Sequence, residues 1–420
     1  MHRFLFSLAI LALALACPAQ AEDLRDAIQA AIDTHPRLQQ ERANLRAARE
    51  GIPLALAPYR PQVSFQATTA RSDREAELSD GQIINDEASP ATYTLDARQT
   101  IWSGGRRDIA ARRSILVVRA QEVQYAAVEQ TIVFDVATAY ADLLLSDETL
   151  RIESEALRAF DRQVGAARTQ LERGTATRTD LAQAEARLAE ARARLATARA
   201  NLTVAHAQFE RMTGYPAGGL EWEAIELPWT DLLDVTELAL EFNTDLASAR
   251  LNAEIARLDL MAANRRNSPT VTLGLQHSES DNVSPAVISD DDTQVNLTLT
   301  VPLLTGGENG AHRRQAAASR SASRFAVRDV EEDVRLQATQ VWAQIEAASY
   351  VLDAQRERVI ASELALEGVE RGRTAGLWTL VDVLNATDQL LRARLSLAEG
   401  QRELRLGRVR LALMTGALEY

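Results

Sequence analysis

The chain has 420 residues and a formal net charge of −13, and all 46 of its Lys and Arg residues are arginine. An acidic chain with no basic cluster interleaved with aromatics is not built for nucleic acid. Its single cysteine, Cys17, excludes a disulfide framework and a thiolate metal site.

The first predicted element is a targeting segment, residues 1–21. Arg3 starts it, Phe4 to Ala16 is its apolar core, and Ala19-Gln20-Ala21 is a small-x-small cleavage site. The mature chain is expected to begin at Glu22 without cysteine. Ala14 stands where a lipoprotein signal usually has Leu, which argues against acylation at Cys17. No later run approaches the roughly 18 apolar residues of a membrane-spanning helix.

From Glu22 the chain reads as helix, then strand, loop, strand, long helix, turn and long helix. The first strands are expected over residues 61–70 and 92–102, and the long helices over 105–173 and 178–212. "PQVSFQATTA" sets Val63, Phe65 and Ala67 against Gln62, Ser64 and Gln66. "ATYTLDARQTI" sets Tyr93, Leu95, Ala97 and Ile101 against Thr94, Asp96, Arg98 and Thr100. From Arg106 to Arg173 there is no Pro and one internal Gly, Gly165, which predicts helix on the order of 100 Å long at 1.5 Å per residue.

The same order then recurs. Repeat 1 spans 22–225 and repeat 2 spans 226–420, with the boundary in "YPAGGLEWEAIELP", Tyr215 to Pro228. Strands are expected over 269–277 and 293–301, and helices over 308–372 and 379–414. "MTG" at Met212–Gly214 and at Met414–Gly416 is offset by 202, as are the pairs Gly104-Gly105 and Gly306-Gly307. A heptad seam of Leu181, Leu188, Leu195, Leu202 and Phe209, alternating with Ala184, Ala191, Ala198, Ala205 and Met212, returns as Val383, Leu390, Leu397, Leu404 and Leu411. The small partners there are Ala386, Ala393, Gly400, Gly407 and Met414. Such a seam implies supercoiled helices with closely approaching backbones. The early segments match at an offset of 208, so the loop between the second pair of strands is six residues shorter.

Four alternating segments of about 9–11 residues fit tilted membrane strands, apolar outside and polar inside. Pro61, Pro302 and the glycine pairs sit where strand must turn into helix. Two half-buried hairpins on soluble helices, or a coiled-coil rod, are the bland alternatives. Asp96 and Arg98 on the polar faces, and helices without a broad second apolar face, weigh against them. Four strands cannot close a barrel, so a membrane reading requires further copies of the chain.

The sequence resembles the TolC family of outer-membrane export channels across nearly all of residues 22–420. The resemblance rests on "GLWTLVDVLNATDQLLRARLSLAEGQRELRLGRVRLALMTG", Gly376 to Gly416, with "VPLLTGG", "FDVATAYADLL" and "THPRL". It implies a homotrimer, mainly α, with a twelve-strand β-barrel (four strands per chain) in the outer membrane of a Gram-negative bacterium and a twelve-helix periplasmic tunnel. It also implies a periplasmic adaptor (membrane fusion protein) and an inner-membrane ABC or RND-type transporter as partners.

On the same resemblance, the gate lies in the tip turns "RGTATRTDL" and "RTAGLWTLVDVLN". Asp382 matches the family's constriction-ring aspartate, and a second ring aspartate of some members is Asn385 here. Thr179 and Asp180 match residues holding the tip helices together. The family's basic partner falls on Trp378, leaving Arg373 or Arg178 as candidate replacements. For Asp180 and Asp382 the plainer role is helix N-terminal capping. Gly174 and Gly376 read as backbone-turn residues.

His35, His206, His277 and His312 lack ligand spacing, and no phosphate loop, nucleophile elbow or paired-carboxylate motif is present. No enzyme activity and no cofactor are expected. The function expected is a passive exit duct of a tripartite exporter, for type I protein secretion or small-molecule efflux. The mature chain enters the first repeat without the long extension usual in lipidated efflux members, which leans towards secretion. The alternatives are a periplasmic coiled-coil adaptor, which would need flanking lipoyl-like β segments, and a structural envelope protein.

Overall fold

The computed structural model describes residues 21–77, 81, 83–223, 225, 227–229, 231–284 and 287–418. The expected targeting segment, apart from Ala21, lies outside the described residues, and Cys17 with it. The elements are β1 (Ala21–Asp23), α1 (Leu24–Thr34), α2 (Pro36–Leu56), β2 (Gln62–Thr69), β3 (Ser72–Glu77), β4 (Ile83–Ala88), β5 (Ala91–Trp102), α3 (Arg106–Glu172) and α4 (Arg178–Thr213). Then come β6 (Ala217–Glu221), α5 (Leu232–Phe242), α6 (Thr244–Asn264), β7 (Thr270–Ser284), β8 (Val287–Thr300), α7 (Glu308–Thr374) and α8 (Leu380–Met414). Among the described residues no helix is long and apolar enough to cross a membrane.

Two compact units are present. One holds residues 40–126 and 244–332, the other the described parts of 1–39, 127–243 and 333–420. The 40–126/244–332 unit contains a four-stranded antiparallel sheet in the order β2-β5-β7-β8. The other contains a short parallel pair, β1 with β6, and the packed halves of the long helices.

Several sequence expectations are corrected. The opening helix of each repeat is two helices. His35 stands extended before Pro36, which disfavours helical backbone in the residue preceding it, and Asn243 adopts nearly the same angles at the α5–α6 break. The loop after β2 carries its own hairpin, β3 with β4. β7 and β8 run to 15 and 14 residues, well past the 9–11 expected. The ladder continues through the polar stretch after His277 because its backbone hydrogen bonds need no apolar side chains. β1 and β6 were not anticipated; both are too short for an alternation signal.

The long helices pack on the seam. On α4, Ala184, Leu188, Ala191, Leu195, Ala198, Ala205 and Phe209 are buried. On α8, Val383, Ala386, Ala393 and Leu411 are buried as expected, but midway the stripe drifts by one residue, to Leu391 and Ala398, while Leu390, Leu397 and Leu404 are half-buried. The stripe is wider there because α8 meets more than one helix: Gly400 faces Leu352 and Gly407 faces Ile345, both on α7. Phe160, fully buried, centres a cluster with Ile152, Val164, Leu188, Leu380 and Leu384 that ties α3, α4 and α8 together. Filling it to close-packed density is what makes single-atom losses costly.

Candidate functional site

The first candidate region is the sheet. Its register aligns side chains into rows across the sheet, with the apolar ones concentrated on one face towards the helical end. Val63–Ala97–Leu275–Val295 is one row and Phe65–Leu95–His277–Thr293 the next on the same face. The opposite face reads Ser64–Asp96–Gln276–Gln294 and Gln66–Thr94–Ser278–Asp292. Asp96 and Arg98 pair on it at 2.8 Å. The apolar face is bare: Phe65, Val295 and Leu297 are 68%, 71% and 70% exposed. A one-residue slip would exchange the two faces, so this register is strongly specified only if the apolar face has an apolar environment.

A bulge between Thr100 and Trp102 pairs Trp102 with Val271 and so returns the indole to the apolar face. Tyr93, stacked on Phe65 with ring centroids 6.5 Å apart, stands towards the other end of that face. The span from Tyr93 to Trp102 is about 30 Å along the strand, or about 23 Å of height at a tilt of about 40°. Aromatics bracketing an apolar band of about 25 Å are the signature of membrane strands.

The strand-to-helix corners explain their glycines. Gly104 and Gly105 have φ of 60° and 81°, and Gly306 and Gly307 have 60° and 86°. Arg106 N–H donates to Ser103 O at 3.2 Å and Glu308 N–H to Thr305 O at 3.1 Å, closing each tight turn. Two consecutive left-handed residues are what a type I′ turn requires. Pro61 directly precedes β2, and Pro302 follows β8 where no ladder donor is needed.

The second region is the pair of tip turns. α3 and α7 each end in a Schellman motif at a left-handed glycine, Gly174 (φ 75°) or Gly376 (φ 77°). Thr175 N–H donates to Gln170 O at 2.8 Å and Leu377 N–H to Gly372 O at 2.9 Å. The following helices begin with matched capping boxes. Asp180 N–H donates to Thr177 Oγ1 at 3.1 Å while Thr177 N–H donates to Asp180 Oδ2 at 2.9 Å. For Thr379 and Asp382 the distances are 3.3 and 2.8 Å.

These bonds hold both carboxyls below the usual carboxylate range. For Asp180 the Thr177 N–H is the main cause, with Arg373 adding a smaller attraction. For Asp382 the Thr379 hydroxyl leads, followed by its N–H. Both Asp382 bonds fall on Oδ2, leaving Oδ1 available to a further donor.

Arg373 reaches from α7 to α3, donating to Gln163 Oε1 at 2.6 Å and Gln170 Oε1 at 3.0 Å. Burial lowers its pKa, and Asp180 partly offsets this. Trp378 lays its indole on Gly372, whose missing Cβ makes the room. Thr179, Arg178 and Asn385 are exposed.

Sequence reasoning missed Gln163 and Gln170, and it missed Thr177 and Thr379, although T-x-x-D recurring at an offset of 202 was a readable cap signal. It also missed a buried ion cluster on α3, α4 and α8. Arg194 lies 3.3 Å from Glu153 and 3.6 Å from Asp388, both carboxylates being nearly inaccessible. Burial pushes the Glu153 carboxyl up, against the pull of Arg194.

The profile of the family described as "Outer membrane efflux protein" matches residues 27–215 and again 235–417. The outer membrane efflux protein BepC of Brucella suis is 28% identical over 409 residues, covering 95% of this chain and 86% of its own. The outer membrane protein TolC of Vibrio cholerae is 27% identical over 415 residues, covering 95% and 91%. The crystal structure of the outer membrane protein VceC of Vibrio cholerae shares the fold, with a TM-score of 0.80 at 20% identity, covering 94% of this chain and 96% of that one. A chain with two-faced strands, glycine corners and paired helical tips, matched by one profile in both halves, belongs to the outer membrane efflux protein family, and its place is the outer membrane.

Proposed function

We propose that the chain is the exit duct of a tripartite export system. Three copies close a twelve-strand barrel and continue it as a helical tunnel, gated at the tip turns. A periplasmic adaptor and an inner-membrane ABC or RND-type transporter supply cargo and energy.

The observation that carries this reading is the sheet. It has one apolar face open to its surroundings, one polar face, and two edge strands, β2 and β8, without partners among the described residues. In hydrocarbon each unpaired edge group costs several kcal/mol, so the edges must meet those of other copies. β2 and β8 run in opposite directions, which suits antiparallel closure. Exposed apolar side chains on α7, including Phe325, Leu336, Tyr350 and Leu364, offer helical surface for the same association. An adaptor has no use for a two-faced sheet with bare edges.

Assembly is tested by placing one cysteine on β2 and one on β8 of the mature chain, which otherwise lacks cysteine. Oxidation in membranes is expected to give a ladder ending at the covalent trimer. Exclusively intramolecular or monomeric product would refute closure through neighbouring copies.

The gate reading rests on the paired turns. Asp382 keeps a free oxygen at the first turn of α8, and Arg373 ties α7 to α3 beside Asp180. Replacing Arg373 by Ala is expected to raise ion conductance; unchanged conductance would remove it from the gate.

A further inference from the structure

The helical side of the strand-to-helix corners holds an unexpected concentration of positive charge. A cavity of about 510 Å³ lies there, lined among others by Tyr59, Arg106, Arg113, Asp259, Arg266 and His312. Arg113 is neutralised by Asp259 at 2.5 Å and Arg266 by Glu308 at 2.8 Å, and Glu308 also faces His312 at 3.3 Å. Arg106 differs. Its Nε donates to Ser103 O at 3.2 Å, and it has no ion pair among the described residues. The cavity therefore keeps an uncompensated guanidinium.

Around it Arg60, Arg107, Arg265, Arg313 and Arg314 are exposed, again without ion pairs among the described residues. Arg60 precedes β2 by two residues, Arg107 is the second residue of α3, Arg265 directly follows α6, and Arg313 and Arg314 lie in the second turn of α7. One helical turn is about 5.4 Å, so these groups fall within the layer, roughly 5–8 Å deep, that polar headgroups occupy beside a hydrocarbon core. The apolar face runs up to this collar through Trp102, with Leu303 and Leu304 91% and 92% exposed at the last corner. The far ends of the strands carry Glu279, Asp281, Asp290, Asp291 and Asp292 instead. Arg71, exposed two residues past β2, stands at that end too, but among these five acids, so the excess of free arginines is on the helical side of the apolar band.

We propose that the Arg106 cavity and its arginine collar bind the headgroup phosphate of an anionic phospholipid in the leaflet on the helical side of the sheet. The inference rests on the membrane reading of the sheet. Guanidinium is the side chain best matched to phosphate, through paired N–H donors. The acyl chains of such a lipid would lie along the apolar face that the collar borders. Charge complementarity and continuity with that face favour lipid over a second copy of the chain as the occupant.

The test uses the assembled protein in nanodiscs of phosphatidylcholine alone, with added phosphatidylglycerol, or with inorganic phosphate in the buffer. The readouts are thermal unfolding and the lipid retained through detergent washing. Phosphatidylglycerol is expected to raise Tm and to be retained preferentially, by about fivefold for each arginine engaged. Arg106→Gln should lose most of that preference, and inorganic phosphate should give no comparable rise. If Arg106→Gln fails to assemble, the exposed pair Arg313→Gln with Arg314→Gln serves instead and should weaken the preference.

Equal Tm and retention in both lipids, from inserted protein, would overturn the inference and point to a neighbouring copy in the cavity. A rise given equally by inorganic phosphate would make it a simple anion site and overturn the lipid assignment. Failure to insert into either bilayer would instead strike the membrane reading itself.

Discussion

Gly104 and Gly306 occupy equivalent corners, with the same φ of 60°, but different surroundings. An added Cβ at Gly104 would overlap the Ser268 Cβ and approach its Oγ to 2.8 Å and its Cα to 3.6 Å. At Gly306 nothing among the described residues lies within 4 Å of that position. Alanine at either site takes on the left-handed backbone cost of about 1–2 kcal/mol, partly offset by a less flexible unfolded chain. At Gly104 it also collides with a Cβ, which cannot swing aside as a side-chain tip can, adding about 1–3 kcal/mol.

Gly306→Ala should therefore cost about 1 kcal/mol and Gly104→Ala about 2–4 kcal/mol in denaturant unfolding of the protein in micelles. Ser268→Gly introduced into Gly104→Ala should recover most of the difference. Equal losses at the two glycines, or no rescue, would refute the corner geometry and with it the close approach of the α6–β7 connection to the end of β5.

Other predictions follow from the helical packing. Phe160→Ala should cost about 3–5 kcal/mol in the same unfolding assay, since the ring is fully buried between three helices; a loss under about 1 kcal/mol would mean that the cluster collapses freely. In the ion cluster, Arg194→Ala leaves the buried Glu153 without its partner, while Asp388 keeps Arg392 at 2.6 Å, and should cost about 3–5 kcal/mol. Glu153→Gln should be nearly neutral at pH 7, because the fold already disfavours that charge; its penalty is present above the folded pKa and relieved as pH falls through it. The reverse ranking of these two substitutions would contradict the assignment. Thr177→Ala should cost about 0.5–2 kcal/mol and speed amide exchange in the first turn of α4. Because the Asp180 carboxyl is held low, its stabilisation is complete above the ordinary carboxylate range and lost as pH falls through the folded value. Protection of that turn relative to the intrinsic exchange rate should fall only in that acidic window, and protection that does not change with pH would remove the cap from the explanation.

Strand alternation could be read from the sequence because a sheet with one apolar and one polar face writes its period of two directly into residues such as Val295, Leu297 and Leu299. The glycine pairs and the seam on α4 were legible for the same reason: left-handed turns and close helix approach tolerate few residues. The distal parts of β7 and β8 were not, since a ladder held by backbone bonds leaves no hydrophobic period. Neither was the drift of the α8 seam, because it depends on α7 meeting Gly400 and Gly407, a tertiary contact. At the tips the sequence offered Asp180 and Asp382 two roles. The structure places both in capping boxes, a role that leaves one Asp382 oxygen uncommitted. Arg373 was identified from the sequence as a candidate basic group, but its bonds to Gln163 and Gln170 join helices remote in sequence and carry no local signal.

The central claim is that this chain makes a gated conduit through the outer membrane, and single-channel conductance of the purified mature protein in a planar bilayer tests it most directly. The expected result is a small, cation-selective conductance that changes with Asp382→Ala. Silence from folded, membrane-inserted protein would contradict the claim.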